Sequence, residues 1–304
     1  GVETAESATG QRDCACPSCL GSPFPPASPE QRMNIAVIKE VFPGEHRVAL
    51  VPAAIGPLLK AGHTVRVERG AGQAAGFSDD DFAAAGAELV DRDTAFASDC
   101  VLAVRVGGNG GDGWTADRAR LTAGTTVVGM ADPLGSVQAC AADAATGATI
   151  YALELVPRIT RAQSMDVLSS QANIAGYRAV LLGTLALKKI LPMMTTAAGT
   201  IRPAKVLILG AGVAGLQAIA TAKRLGGQVL AYDVRPAVKE QVESLGAKFV
   251  ELPLETGTSE TKGGYAKAMS EEFYKKQQEL LGRVIAECDL VVTTALIPGK
   301  PAPT

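Results

Sequence analysis

No apolar run in this sequence approaches the eighteen or so residues that a membrane-spanning helix needs. An integral span is excluded, and any membrane attachment is expected to come through a partner. Charge of one sign is also lacking: 29 basic residues against 31 acidic ones leave a formal net charge of −2. Nucleic acid and anionic surfaces are therefore not expected as partners. Histidine is nearly absent, with His46 and His63 as the two present, which removes the commonest general acid or base from most of the chain. Cys14, Cys16 and Cys19 form C-x-C-x-x-C, but no nearby histidine offers a fourth ligand, so no metal is expected. Cys100, Cys140 and Cys288 stand apart and read as reduced, buried small hydrophobes.

The chain does have apolar material: 47% of its 304 residues are hydrophobic, enough for two cores. Residues 1–32 are rich in Pro, Ser, Gly and Ala and read as a disordered tail, without the apolar core of a secretory signal or the Arg-rich makeup of a transit peptide. Met33 reads as the start of the folded part. From Asn34 onward, short β-branched runs alternate with Ala-rich helical stretches, the pattern of βαβ units on a mainly parallel sheet. Strands are expected at Ile35–Ile38, Thr64–Glu68, Cys100–Val106, Thr125–Gly129 and Thr149–Leu153, with helices within Val48–Lys60 and at Asp79–Ala85 and a glycine-rich loop at Gly107–Gly113. The stretch Met165–Ile190 reads as one long helix ended by Pro192. This predicts an N-terminal Rossmann-like domain at 33–164, a linking helix at 165–192 and a nucleotide-binding Rossmann domain at 193–304. The fold class is α/β, with two doubly wound parallel sheets.

Gly210-Ala-Gly-Val-Ala-Gly215 directly follows the apolar strand Lys205–Leu209 and opens a helix at Val213–Leu225, the context that G-x-G-x-x-G requires. Its first glycine permits the tight turn, the second admits the pyrophosphate, and the third lets helix and strand pack closely. A pyrophosphate over Gly210, Ala211, Gly212, Val213 and Gly215 would then sit at a positive helix N-terminus. The next strand, Gln228–Tyr232, ends at Asp233, which can accept from both ribose hydroxyls and so selects NAD over NADP; Val234 follows, and Arg235 could soften that preference.

Further segments go beyond a generic nucleotide fold. They are Pro157-Arg-Ile-Thr-Arg-Ala-Gln-Ser-Met-Asp-Val-Leu-Ser-Ser170, Asn173-Ile-Ala-Gly-Tyr-Arg178, Thr196-Ala-Ala-Gly199, Gly263-Gly-Tyr-Ala266 and Thr293-Thr-Ala-Leu-Ile-Pro-Gly-Lys-Pro-Ala-Pro303. With them the chain, from about residue 34 onward, resembles the NAD(H)-binding component (alpha subunit, domain I) of proton-translocating NAD(P) transhydrogenase. The resemblance implies that Arg158, Ile159, Thr160, Gln163, Ser164, Met165, Asp166 and Ser169 face the nicotinamide, with Gln163 and Asp166 in the catalytic role of positioning the ring and its amide. It also implies that Tyr265 lies on a loop that closes over the nucleotide, and that Gly264, Gln277 and Leu296 lie near it. As residues alone, 158–169 can equally be a helix N-terminus with Ser164 or Asp166 as its cap. The implied partners are an NADP(H)-binding component and a membrane proton-channel component, with a second copy forming a homodimer. The implied location is the cytoplasmic face of a bacterial inner membrane, or the matrix side of a mitochondrial one.

The opening Lys39-Glu-Val-Phe-Pro-Gly-Glu-His-Arg-Val-Ala49 is also similar to alanine dehydrogenase, the alternative reading. That reaction moves a proton with the hydride and needs a positioned base. Alanine dehydrogenases carry a histidine where this chain reads Met130-Ala-Asp-Pro133 and a lysine where it has Arg105. Arg47 and Arg105 could still grip a carboxylate. Direct exchange between two nicotinamide rings needs no protein acid or base, which favours the transhydrogenase reading. A third reading, a nucleotide-binding fragment without turnover, follows from length: the family continues past Thr304 to finish its sheet, so the second Rossmann sheet is expected to be incomplete.

Overall fold

The computed structural model describes residues 32–253 and 271–294. They divide into two compact units, with the boundary between Ala152 and Leu153. The first unit is an α/β alternation: β1 (Asn34–Val37), α1 (Ile55–Lys60), β2 (Thr64–Glu68), α2 (Asp79–Ala84), β3 (Glu88–Val90), α3 (Arg92–Phe96), β4 (Cys100–Arg105), α4 (Gly111–Asp117), β5 (Thr126–Met130), α5 (Val137–Ala144) and β6 (Thr149–Ala152). Its six strands are parallel in the order β3-β2-β1-β4-β5-β6, the doubly wound Rossmann order. β1 is central and apolar on both faces, as a strand covered by helices on each side must be. One face packs Val37, Val65 and Val67 against Ile55 of α1 and Phe82 of α2. The other packs Ala36, Val101 and Val127 with Phe96 of α3 and Trp114 of α4.

The expected glycine loop at Gly107–Gly113 is instead a 3-10 turn, Gly107–Gly110, running into α4. Gly107 and Gly111 supply the positive φ angles of 54° and 59° that reverse the chain, and Trp114, 1% exposed, anchors the helix in the core. β3, α3 and α5 are additions to the elements expected from the sequence.

The second unit contains α6 (Val167–Ala186), a hairpin of β7 (Met194–Thr196) and β8 (Gly199–Ile201), β9 (Lys205–Leu209), α7 (Val213–Arg224), β10 (Gln228–Tyr232), α8 (Lys239–Ser244), β11 (Lys248–Phe249), α9 (Glu271–Ala286) and β12 (Leu290–Thr293). β9 to β12 form a parallel sheet in the order β11-β10-β9-β12, which in local numbering is 3-2-1-4, the first four positions of the Rossmann order. Its core joins Val206 and Ile208 of β9 to Ala218, Ile219 and Ala222 of α7 and Val180 of α6.

α6 packs along α7 within this unit, closely enough that a Cβ on Gly176 would lie 2.1 Å from the Ala214 carbonyl oxygen. It ends at Ala186, four residues short of the expected Ile190. The last turn is given up because Lys189 donates to Asp289 at 2.9 Å and the Leu191 carbonyl accepts from Ala204 at 3.1 Å.

Candidate functional site

The site is built around the end of β9. Gly210 turns the chain at φ 95°, where a side chain would be strained, and its N–H donates to the Tyr232 carbonyl at 2.8 Å. Gly215 is forced by contact: a Cβ there would stand 1.8 Å from the Gly210 carbonyl oxygen. Gly212 is different, since its backbone is extended (φ −80°, ψ −166°) and a Cβ would meet nothing within 4 Å. The second glycine is therefore required neither by its own backbone nor by a protein neighbour. It keeps clear the space in front of the α7 N-terminus, which no side chain caps. An uncapped twelve-residue helix presents unsatisfied N–H groups and a positive dipole end to that space. This cradle, which a Cβ would fill, fits a dinucleotide pyrophosphate at Gly210, Ala211, Gly212, Val213 and Gly215.

Two neighbouring strands lock the turn. From β10, Asp233 Oδ2 accepts the Ala211 N–H at 2.7 Å. From β12, the Thr294 hydroxyl donates to the Leu209 and Gly210 carbonyls at 3.2 and 2.9 Å. Thr294 is a positioning residue that the sequence pattern does not single out; its one signal is a hydroxyl immediately after an apolar strand. Asp233 is clasped by Arg235, whose backbone N–H and Nε both donate to Oδ1 at 2.9 Å and whose Nη2 donates to Oδ2 at 2.8 Å. Burial alone would raise the Asp233 pKa, but the Arg235 fork and the two backbone N–H groups outweigh it and hold the carboxyl below its ordinary value. Gln277 donates from Nε2 to the Tyr232 hydroxyl at 2.8 Å, so this residue braces the β10 end of the turn. Tyr232 is pushed above the usual phenol value by burial.

The segment expected to face the nicotinamide forms a 3-10 turn, Thr160–Met165, leading into α6. Asp166 caps that helix: Oδ1 accepts the Ser169 N–H at 2.9 Å and Oδ2 accepts the Ser169 hydroxyl at 2.7 Å. These bonds, chiefly the Ser169 N–H, hold Asp166 below its ordinary pKa. Arg158 joins the pair, donating to the Ser169 hydroxyl at 3.3 Å with its Nε 3.7 Å from Asp166. The helix-cap reading is thus seen directly in Asp166, and the structure brings Arg158, Asp166 and Ser169 together. Ile159, Thr160, Gln163, Ser164 and Met165 are all exposed around the buried Ala162. Gly176 touches the first turn of α7, and Ser169 lies seven residues, about 10 Å, along α6 from that contact. Gly264, Tyr265 and Leu296 lie outside the described residues, as do Cys14, Cys16 and Cys19.

In the first unit, the residues of the alternative reading are tied to one another. Glu45 accepts from Arg47 at 2.6 and 2.8 Å and from Arg105 at 2.9 Å, and Arg105 stacks 4.0 Å over Phe42. His63 accepts the Met33 N–H at 3.3 Å, and His46 is exposed. At the turn after β5, Asp132 takes a φ of 51° and accepts from the Ser136 hydroxyl at 3.0 Å. Among the described residues no group of His, Cys, Asp and Glu could hold a metal, and no helix is long and apolar enough to cross a membrane. The described cysteines are unpaired; Cys100 is buried, while Cys140 and Cys288 are only half-buried.

A parallel sheet whose first strand runs into a cleared glycine turn, with an acidic residue at the end of the second strand, has the architecture of the dinucleotide-binding α/β class. Two family models match it: "Alanine dehydrogenase/PNT, N-terminal domain" over residues 36–175 and "Alanine dehydrogenase/PNT, C-terminal domain" over residues 179–304. The chain is 50% identical over 274 residues to the first of the polypeptides that make up NAD(P) transhydrogenase subunit alpha in Rhodospirillum rubrum, an alignment covering 89% of this chain and 71% of that one. Alanine dehydrogenase of Halomonas elongata is 30% identical, with 89% and 67% covered. The crystal structure of transhydrogenase from Sinorhizobium meliloti superposes with a TM-score of 0.76 at 44% identity, covering 89% of this chain and 72% of that one. The chain belongs to the alanine dehydrogenase/PNT family, as a member of its NAD(P) transhydrogenase subunit alpha branch.

Proposed function

We propose that this chain binds NAD(H) on its second unit and presents it for hydride exchange with NADP(H) held by a partner component, in a complex whose membrane component couples the exchange to proton movement. The observation that carries the reading is Gly212, a glycine with an ordinary backbone and an open Cβ position at an uncapped helix N-terminus beside Asp233. Bound NAD(H) supplies the carbon that gives or takes the hydride. The protein's work is placement: the α7 N-terminus and Gly210 to Gly215 hold the pyrophosphate, Asp233 reads the ribose, and Arg158, Gln163, Asp166 and Ser169 orient the nicotinamide amide. Gln163 is the member of that group whose exposed side chain is left to meet a ring; Asp166 and Ser169 fix the local backbone that carries it. Homodimerisation and a peripheral position on the cytoplasmic or matrix side of the membrane belong to the same proposal. They are supported by kinship to the transhydrogenase subunits.

The test is a fluorescence titration of the chain with NADH, with NADPH as competitor, repeated on Gly212→Val. The expected result is NADH binding that NADPH displaces poorly in wild type, and loss of binding in the variant with an unchanged melting temperature. An unaltered affinity in Gly212→Val would remove the turn from the site.

A further inference from the structure

Asp233 has more donors on it than a ribose-reading carboxylate can keep. A carboxylate offers about four acceptor positions, and here four N–H groups meet them: Ala211 N–H on Oδ2 at 2.7 Å, Arg235 Nη2 on Oδ2 at 2.8 Å, and Arg235 N–H and Nε on Oδ1 at 2.9 Å each. Both side chains are well covered, at 5% exposure for Asp233 and 13% for Arg235, so the pair is screened little by solvent. Two of the four donors are backbone groups that locate the carboxylate whatever the arginine does. The other two, Nε and Nη2, form a fork across both oxygens. A ribose diol placing one hydroxyl on each oxygen asks for the same two positions.

We propose that Arg235 sets nucleotide choice at this site, as an internal competitor that a ribose diol displaces from Asp233 and as the cation that meets a 2′-phosphate. The inference rests on the NAD(H) reading above and deepens it. With Arg235 in place, the negative charge that would repel a 2′-phosphate is balanced by a positive charge two residues away, so selection against NADP(H) is weaker than Asp233 alone would impose. The same fork makes NAD(H) binding bear the loss of two charge-assisted hydrogen bonds before ribose contact is made. Tight binding and tolerance of a phosphate therefore trade against each other through one side chain. Truncating Arg235 leaves the N–H of position 235 and that of Ala211 on the carboxylate, so Asp233 keeps two of its four donors.

The experiment measures NADH and NADPH dissociation constants by fluorescence titration for the wild-type chain, Arg235→Ala, Asp233→Asn and the double variant, with circular-dichroism melts to establish folding. Arg235→Ala is expected to bind NADH about tenfold tighter, the scale of about one charge-assisted hydrogen bond, and to discriminate more sharply against NADPH. Asp233→Asn is expected to shift the NADPH-to-NADH affinity ratio about tenfold toward NADPH, a gain that disappears in the double variant because Arg235 produces it. Should Arg235→Ala fail to fold, Arg235→Gln is read the same way. If wild type binds NADH and the arginine variant binds it no tighter, the competitor is overturned while the nucleotide site stands. A ratio unmoved by Asp233→Asn overturns the phosphate-meeting role. Absence of NADH binding in all four proteins overturns the nucleotide reading and this inference with it.

Discussion

Glu45 and Asp233 are held by one and the same device, an acid followed two positions later by an arginine that returns its backbone N–H, Nε and Nη2 to the carboxylate. In the first unit, Arg105 adds a further donor, and Glu45 is held at about 2, chiefly by the Arg47 hydrogen bond against the opposing effect of burial. Its folded value lies below the ordinary 4.5. The stability it contributes is therefore complete above the unfolded value and is lost as pH falls toward 2. Between pH 5 and pH 2 wild type should lose more thermal stability than Glu45→Gln, which has no proton to take up there; parallel loss in pH-dependent melts would show that the Arg47 and Arg105 contacts do not stabilise the fold. At this scale the glycines and Asp233 were legible because each residue type has a local cause. The closure of Arg235 over Asp233 was less so: the two stand side by side in sequence, but whether an arginine returns to the carboxylate or faces outward depends on how the turn is buried.

Helix α6 and helix α7 meet backbone to backbone, and the contact depends on one residue. Gly176 costs roughly 1 kcal/mol of helix propensity relative to alanine, and the structure keeps it because the Ala214 carbonyl occupies the place of its Cβ. Gly176→Leu should separate the helices and destabilise the second unit by about 1–3 kcal/mol, with NADH binding lost as the first turn of α7 shifts. Gly183→Ala should be mild, since its Cβ would meet the flexible end of Leu290 at 2.7 Å and not backbone. Chemical denaturation of the two variants checks the contrast, and equal stabilities would mean that the helix contact is loose. The apolar run Lys205–Leu209 and the alternating strand Thr64–Glu68, with Val65 and Val67 buried, were located to the residue from sequence. The β7–β8 hairpin was not, because all six of its strand residues are exposed and no buried face imprints a period on them.

The whole molecule repeats one topology in two units but carries the cleared glycine turn in the second alone among its described residues. The first unit matches the alanine dehydrogenases in its opening residues, yet the chain offers two histidines in all, His46, which is exposed, and His63, which accepts a backbone N–H next to β1, whereas a reaction that moves a proton with the hydride most often draws on that residue type. Pyruvate with ammonia should accordingly leave NADH unoxidised when its absorbance is followed over time, and steady turnover would transfer the chain to the dehydrogenase branch. The scarcity of histidine was readable from composition, whereas the mutual pairing of Arg47, Arg105 and Glu45 needed the folded sheet to bring positions 45 and 105 together. Sheet order also dictates timing. The hydroxyl that fastens Gly210 comes from Thr294, 84 residues downstream, and β12 must insert beside β9 before the turn is complete. At about 5–20 residues per second of synthesis, a nascent chain carries its glycine turn unfastened for about 4 to 17 seconds. The last strand of the first unit's sheet ends at Ala152, so one half of the fold has all its strands well before the half that carries the glycine turn is fastened, in the order in which the ribosome delivers them.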